Sequence, residues 1–238
     1  MASPTVVLVH GAFADASSWS GVITELVAAG VDVTAPPNQL RGVPADAAYL
    51  TSFVNQLNRP TVLVGHSYGG ALITQSGTDA RDVVGLVFVA AFAPEADEKL
   101  ADINARYPDV PLSTAQRPLT YPTGGGASGT EVLIDQASFH DAFCADVPLE
   151  RARVMALTQR PVAVDAFTSV VTGTPAWHSL PSWAIVSTAD HAIHPDAERD
   201  MAKRAGAEVV ELDASHAVAV SQPKRVAGVI LHAVQRTS

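Results

Sequence analysis

Short runs of β-branched and apolar residues alternate along this chain with longer segments whose apolar positions recur every three to four residues. Residues 5–9, Thr-Val-Val-Leu-Val, predict a first strand, and 18–29 predict a helix with Trp19, Val22, Ile23 and Leu26 on one face and Gly30 at its end. Residues 31–34, 61–64, 83–89, 181–187 and 208–212 predict five more strands, and 46–57, 70–76, 195–205 and 223–236 four more helices. Pro195 and Pro223 stand where a first helical turn tolerates proline. Strands that are apolar on both faces and separated by helices predict βαβ units around a parallel sheet buried on both sides.

Residues 94–180 break this rhythm. They hold Pro108, Pro111, Pro118, Pro122 and the run Gly124-Gly125-Gly126, then helix-like stretches at 138–158 and 162–171. The earlier part, approximately 94–158, is expected to be a lid inserted between two sheet strands, and the stretch 162–171 a helix returning to the main layer. The glycine run is expected to be a flexible connector, because no Lys-Ser/Thr pair or helix start accompanies it as a phosphate loop would need.

Composition narrows this picture. A chain of 238 residues, 47% hydrophobic and 16% charged, can bury one α/β domain spanning 1–238 and is too apolar for disorder. The longest apolar stretch, 83–93, falls short of the roughly 18 residues that cross a bilayer, so no membrane is expected. Fifteen Lys and Arg against 24 Asp and Glu give a formal charge of -9, which repels a phosphate backbone and argues against a nucleic-acid partner. The lone Cys144 and the lack of a basic leader before the first strand lead to the expectation of a cytoplasmic protein, with Cys144 a small apolar filler.

The chemistry concentrates at strand ends. Gly65-His66-Ser67-Tyr68-Gly69 follows a β-branched strand and precedes an apolar helix, the context in which G-x-S-x-G forms a nucleophile elbow. A serine hydroxyl needs a neighbouring base, and the base needs a carboxylate to hold its tautomer. In the expected chain order of serine, acid and histidine, Asp190 follows the strand at 181–187 and His216 the strand at 208–212. Ser67, Asp190 and His216 are therefore the expected catalytic residues. Asp213, at the same strand end as His216, is the alternative acid, read instead as a loop-turning residue, and Asp196 fits a first helical turn. His10-Gly11-Ala12-Phe13 closes the first strand and fits an oxyanion loop whose donors are the N–H groups of Ala12 and Tyr68. His10 and His66 are read as packed supports. His191 and His194 have the spacing of a metal pair but no helix beneath them and no third ligand nearby.

Ser67 in Gly-His-Ser-Tyr-Gly-Gly, His10-Gly11-Ala12, Asp190 and Ser215-His216 together resemble the α/β-hydrolase superfamily. The stretches from His10 to Trp19 and from Ala189 to Pro195 resemble its branch of small bacterial esterases, plant methyl esterases and hydroxynitrile lyases. The resemblance covers the chain outside 94–139. It implies an α/β-hydrolase fold with helices on both faces of the sheet. The short lead before His10 leaves no room for the two leading antiparallel strands, so about six mainly parallel strands are expected.

The expected activity is hydrolysis of a small, apolar carboxylic ester through an acyl-enzyme at Ser67, with no cofactor and no metal. Phe13, Phe139 and Phe143 are the candidate pocket residues, and Leu112, Leu119, Val132, Leu133 and Met155 add apolar character to the lid. Two rivals stay open: cleavage of a cyanohydrin by the same residues, and a non-catalytic receptor for a small ligand. The hydroxynitrile lyases of the resembling branch carry Thr after the strand-end histidine and Lys after the catalytic one. Gly11 and Ala217 occupy those places here. A homodimer also stays open.

Overall fold

The central strands of the sheet alternate their side chains between two apolar environments, which is why their runs are apolar throughout. A computed structural model describes residues 3–238. Its strands are β1 (Thr5–Val9), β2 (Val33–Thr34), β3 (Thr61–Ser67), β4 (Val83–Ala91), β5 (Gln116–Gly124), β6 (Ala127–Ile134), β7 (Val162–Ala163), β8 (Ser182–Ser187) and β9 (Glu208–Leu212). Six form one sheet in the order β2-β1-β3-β4-β8-β9, with every pairing parallel. Val6 and Leu8 of β1, Val62 and Val64 of β3, and Val87 and Val89 of β4 join one cluster with Leu26 and Ile230 from helices Ser20–Ala28 and Pro223–Arg236. Val7, Val9, Leu63, Leu86 and Phe88 join the other, against Leu50 and Val54 of helix Val43–Leu57 and Leu72 and Ile73 of helix Tyr68–Asp79. The expected six-stranded sheet flanked by helices is what the chain forms.

Several local boundaries differ from the sequence reading, each for a physical reason. The first helix opens as a 3₁₀ turn, Ala16–Trp19, because the Asp15 carboxylate accepts the Ser17 N–H at 2.7 Å and caps it. The stretch 138–158 is two helices, Phe139–Phe143 and Leu149–Thr158, parted at Pro148, whose ring cannot continue a helix from the preceding turn. The stretch 162–171 is not one helix. Val162 and Ala163 form β7, Asp165–Thr168 is a single helical turn, and Val171 bridges Ala96, in keeping with the preference of β-branched residues for pleated backbone.

The inserted segment holds its own antiparallel sheet in the order β5-β6-β7. Pro118 and Pro122 lie on β5, the edge strand, where a missing N–H costs no ladder partner. Gly124, Gly125 and Gly126 all take positive φ, from 59° to 95°, so the expected flexible connector is the tip of a hairpin that only glycine accommodates without strain. Leu119 is exposed on this hairpin, whereas Val132 is buried.

Candidate active site

The carboxyl ends of β1, β3, β8 and β9 converge, and each delivers one part of the site. β3 runs into helix Tyr68–Asp79 with no intervening loop, so Ser67 must turn the chain by itself at φ 53°, ψ −122°. A non-glycine residue held there stores roughly 1–3 kcal/mol of strain, which the buried strand and helix on either side sustain. Tyr68 opens the helix, and its N–H is among those that a helix leaves without an internal acceptor. Its side chain is buried and donates from the hydroxyl to Asp46 Oδ2 at 2.8 Å, fixing the turn from below.

The loop after β1 presses directly against the serine. A Cβ on Gly11 would lie 2.6 Å from Ser67 Cβ, closer than two carbons can pack, so only glycine lets His10-Gly11-Ala12 approach. Phe13 follows at φ 60°, a second residue forced into the left-handed region beside the site. His10 holds this loop: its Nδ1 donates to the Gly11 carbonyl at 2.9 Å and its Nε2 accepts the Asn38 N–H at 3.0 Å. Burial lowers its pKa to about 4, so the ring is neutral and suited to that support.

His216 is the most heavily held side chain of the group. Its Nδ1 lies 2.5 Å from Asp190 Oδ2, while the second Asp190 oxygen, Oδ1, accepts the N–H groups of Ala192 at 2.6 Å and Ile193 at 2.9 Å. Burial alone would raise the Asp190 pKa, but the adjoining His216 and these donors hold it below the ordinary carboxylate range. Asp190 is therefore an anion fixed to the imidazole. His66 donates from Nε2 to the His216 carbonyl at 2.8 Å, with the two rings 4.7 Å apart between centroids. Burial, then the nearby His216, lowers the His66 pKa to about 3. Among the described residues no hydrogen bond joins Ser67 Oγ to His216; the structure ties acid to histidine and leaves the serine contact unmade. Asp213 is exposed, and Gln222 donates to its carbonyl at 2.7 Å.

The inserted segment covers this group. The Phe143 ring meets His216 edge-on at 5.0 Å, its carbonyl accepts the Ala217 N–H at 3.1 Å, and Asp146 accepts the Ser215 hydroxyl. Beneath it a cavity of about 170 Å³ is lined by Phe13, Phe139, Phe143, Met155, Ala217 and Val220. His66 and Ala217, the chain neighbours of Ser67 and His216, lie on its wall. The three aromatic pocket candidates all face this space, whereas Leu119 and Val132 do not. Sequence reasoning missed Arg151 and Val154, which line the cavity from helix Leu149–Thr158; their spacing of four from Met155 and from Thr158 respectively was the available signal.

His191 and His194 are engaged separately. His191 Nδ1 donates to the Asp141 carbonyl at 2.8 Å, and His194 Nδ1 accepts the Asp196 N–H at 3.2 Å while its ring stacks on Tyr107. Cys144 is buried under Phe139, and burial pushes its thiol up to about 12, so it is an inert filler of the cap.

Comparison with known proteins was made against this geometry. The model of a family described as the alpha/beta hydrolase family matches residues 6–229. No curated protein matches the chain in sequence. Among solved structures, polyneuridine aldehyde esterase superposes with a TM-score of 0.83 at 19% identity, covering 97% of this chain and 99% of its own. A pyrethroid hydrolase from Sphingobium faniae JZ-2 gives 0.78 at 20% identity, with 98% and 97% covered. Tomato methylketone synthase I complexed with 2-tridecanone gives 0.79 at 19% identity, with both chains covered in full, 100% and 100%.

Proposed function

Since the chain belongs to the alpha/beta hydrolase family, we propose that it hydrolyses small, apolar carboxylic esters through an acyl-enzyme on Ser67. His216 takes the Ser67 proton as the hydroxyl attacks the ester carbonyl, and returns it to the departing alcohol. It then draws a proton from water, whose oxygen attacks the acyl carbon, and returns that proton to Ser67 Oγ as the acyl–Oγ bond breaks and the acid leaves. Asp190 holds the tautomer that leaves Nε2 as acceptor and stabilises the imidazolium formed in each half. The N–H groups of Ala12 and Tyr68 hold the negative oxygen of the two tetrahedral intermediates.

The observation that carries this reading is the buried Asp190–His216 pair, 2.5 Å apart, on the same sheet edge as a serine turned through φ 53°. The unmade serine contact agrees with it, because such bonds tighten when substrate binds. The cavity, about 170 Å³, has a wall of Phe13, Phe139 and Phe143 that suits a small apolar group, with Asp15 and Arg151 also on its lining. Cyanohydrin cleavage is disfavoured by the position after His216, where Ala217 is buried and supplies no cation for departing cyanide. Two of the structural neighbours are an esterase and a pyrethroid hydrolase, which agrees with hydrolysis.

The test is turnover of p-nitrophenyl acetate and butyrate beside cyanide release from mandelonitrile on one preparation, with Ser67→Ala as the blank. Ser67-dependent ester cleavage with cyanide release at the uncatalysed rate is expected. Ser67-dependent cyanide release without ester turnover, or neither, overturns the reading.

A further inference from the structure

Behind Asp190 lies a carboxyl group that the reaction above does not use. Glu198, in the first turns of helix Pro195–Arg204, is 3% exposed. Its Oε2 accepts the Ser187 N–H at 3.0 Å from the end of β8. Its Oε1 is sealed from solvent, and among the described residues no donor reaches it. Ser187 ties this carboxyl to Asp190, since its N–H is held by Glu198 Oε2 while its carbonyl accepts the Asp190 N–H at 3.2 Å, and the Asp190 carboxylate is itself an acceptor for His216, Ala192 and Ile193.

Two carboxyl groups face each other in a sealed site only when one of them carries a proton. Among the described residues no cation pairs with Glu198. Arg199, on the same helix, is turned outward to Glu211 at 2.8 Å and Asp196 at 2.7 Å. The side chains of β4 and β8 that line the cavity touching Glu198, about 10 Å³, are apolar, among them Phe88, Ala91, Ala184 and Ile185, and the Ser187 hydroxyl at the end of β8 is buried with no hydrogen-bond partner among the described residues. That space is about one water in size at most and lacks the two to four polar partners an internal water requires. The remaining titratable group is His216, on the far side of Asp190. Of the two carboxyls, Asp190 has three donors that favour its ionised form, whereas Glu198 has only Ser187 N–H.

We propose that Glu198 is a positioning residue for the triad, a neutral carboxylic acid that donates a hydrogen bond to the Asp190 carboxylate while Ser187 N–H holds its other oxygen. The proton fixes the Asp190 carboxylate in the plane that meets His216 Nδ1, and it spreads the Asp190 charge without cancelling it. Burial, then the charge of Asp190, raises the Glu198 pKa well above the ordinary value, which agrees with this arrangement. The catalytic part of the inference rests on the ester-hydrolase reading, but the proton on Glu198 does not.

Stability reads the proton without any assay of activity. A carboxyl whose folded pKa is raised contributes stability that is complete below its unfolded pKa and is lost as pH rises toward the folded one. Glutamine can keep both hydrogen bonds and does not titrate. The melting temperature of Glu198→Gln should therefore gain on the wild type steadily from pH 5 to pH 8. A gap that stays constant or closes over this range overturns the neutral acid.

Activity reads the positioning. Glu198→Met keeps the volume but removes the donor, and should lower kcat by about tenfold or more, the usual worth of a hydrogen bond to a charged group, with KM within about twofold. Glu198→Gln should restore most of that loss and carry the alkaline decline in kcat to higher pH, since ionisation of Glu198 against Asp190 is then impossible. Wild-type kcat in a folded Glu198→Met, or the same alkaline limb in Glu198→Gln and wild type, overturns the positioning role. If the wild type cleaves no ester but the stability gap widens with pH, the ester reading fails and the protonated Glu198 stands.

Discussion

The parallel sheet and the segment inserted between β4 and β8 are built by different rules. In the sheet the strands β1, β3, β4 and β8 have two covered faces, and residues such as Val6 with Val7, or Val62 with Leu63, alternate between two apolar clusters, while Glu208, Val209 and Glu211 of the edge strand β9 are exposed. In the insertion only the inner side is covered: Phe139, Phe143, Ala152 and Val162 join the core, while β5 is exposed along nearly its whole length. The sheet edge holds the reacting groups in one geometry, and the insertion adds a wall of separate origin above them. The insertion is fastened to the loop of His216 by the Phe143 carbonyl and by Asp146, and elsewhere by Arg160 donating to the Asn38 carbonyl, Ala163 N–H donating to the Leu40 carbonyl and the Arg41–Glu131 ion pair. A fold of this kind can keep its chemistry while its pocket changes, because the strained and charged parts belong to the sheet.

The largest effects should come from the sheet edge. Ser67→Ala and His216→Ala should each lower kcat for p-nitrophenyl esters by about 10⁴ to 10⁶, since each disables the whole proton-transfer unit. Asp190→Asn should cost about 10⁴ through the wrong tautomer. Asp213→Asn, on the exposed face of the loop, should change kcat by less than about twofold, within the range of a surface substitution. Equal damage from Asp190→Asn and Asp213→Asn would move the acid to the other side of the loop. Gly11→Ala comes next: its methyl would have to lie 2.6 Å from Ser67 Cβ. Displacing the serine by about 1 Å should cost about 100-fold in kcat, with circular dichroism unchanged.

Effects in the insertion should be felt in binding and stability instead. Phe143→Ala removes a buried ring from the contact with His216 and the cavity wall, and should cost about 3–4 kcal/mol of unfolding free energy together with a raised KM. Leu119→Ser, on the exposed hairpin, should shift stability by no more than about 0.5 kcal/mol and leave kcat alone. Loss of kcat without change in KM from Phe143→Ala would mean that the insertion shares in the chemistry.

These two regions were also unequally legible in the sequence. β-branched runs and helix-period segments marked all six sheet strands, because burial on both faces leaves an apolar signature that no turn can imitate. Gly65 to Gly69 between a strand and a helix marked the elbow, and strand-end positions marked Asp190 and His216. The hairpin was missed because Pro118, Pro122 and three glycines read as loop, although an edge strand tolerates the first and a tight tip requires the second. Glu198 was missed for a different reason: an acidic residue in the first turns of a helix has an ordinary surface explanation, and only the fold turns it inward to Asp190.

A further effect appears only in acid. His10 and His66 stay neutral in the fold to about 4 and about 3, whereas in the unfolded chain they protonate near 6.5. Below that value the unfolded state binds the extra protons. Their contribution to stability is thus complete above pH 6.5 and lost as pH falls toward 4, at up to about 1.4 kcal/mol per pH unit for each ring. His66→Asn should flatten the fall in melting temperature between pH 6.5 and pH 4 by one ring's share. An unchanged slope would mean that His66 is already charged in the fold.

The claim on which everything else depends is that Ser67 becomes acylated. An alkyl p-nitrophenyl phosphonate, which phosphonylates an activated serine with loss of p-nitrophenolate and is then hydrolysed off only slowly, tests it directly by intact mass and peptide mapping. The account predicts one phosphonyl group per chain, on Ser67, with ester turnover lost in proportion to labelling and no adduct on Ser67→Ala. Labelling at another residue, or full ester turnover by a protein completely phosphonylated at Ser67, would contradict it.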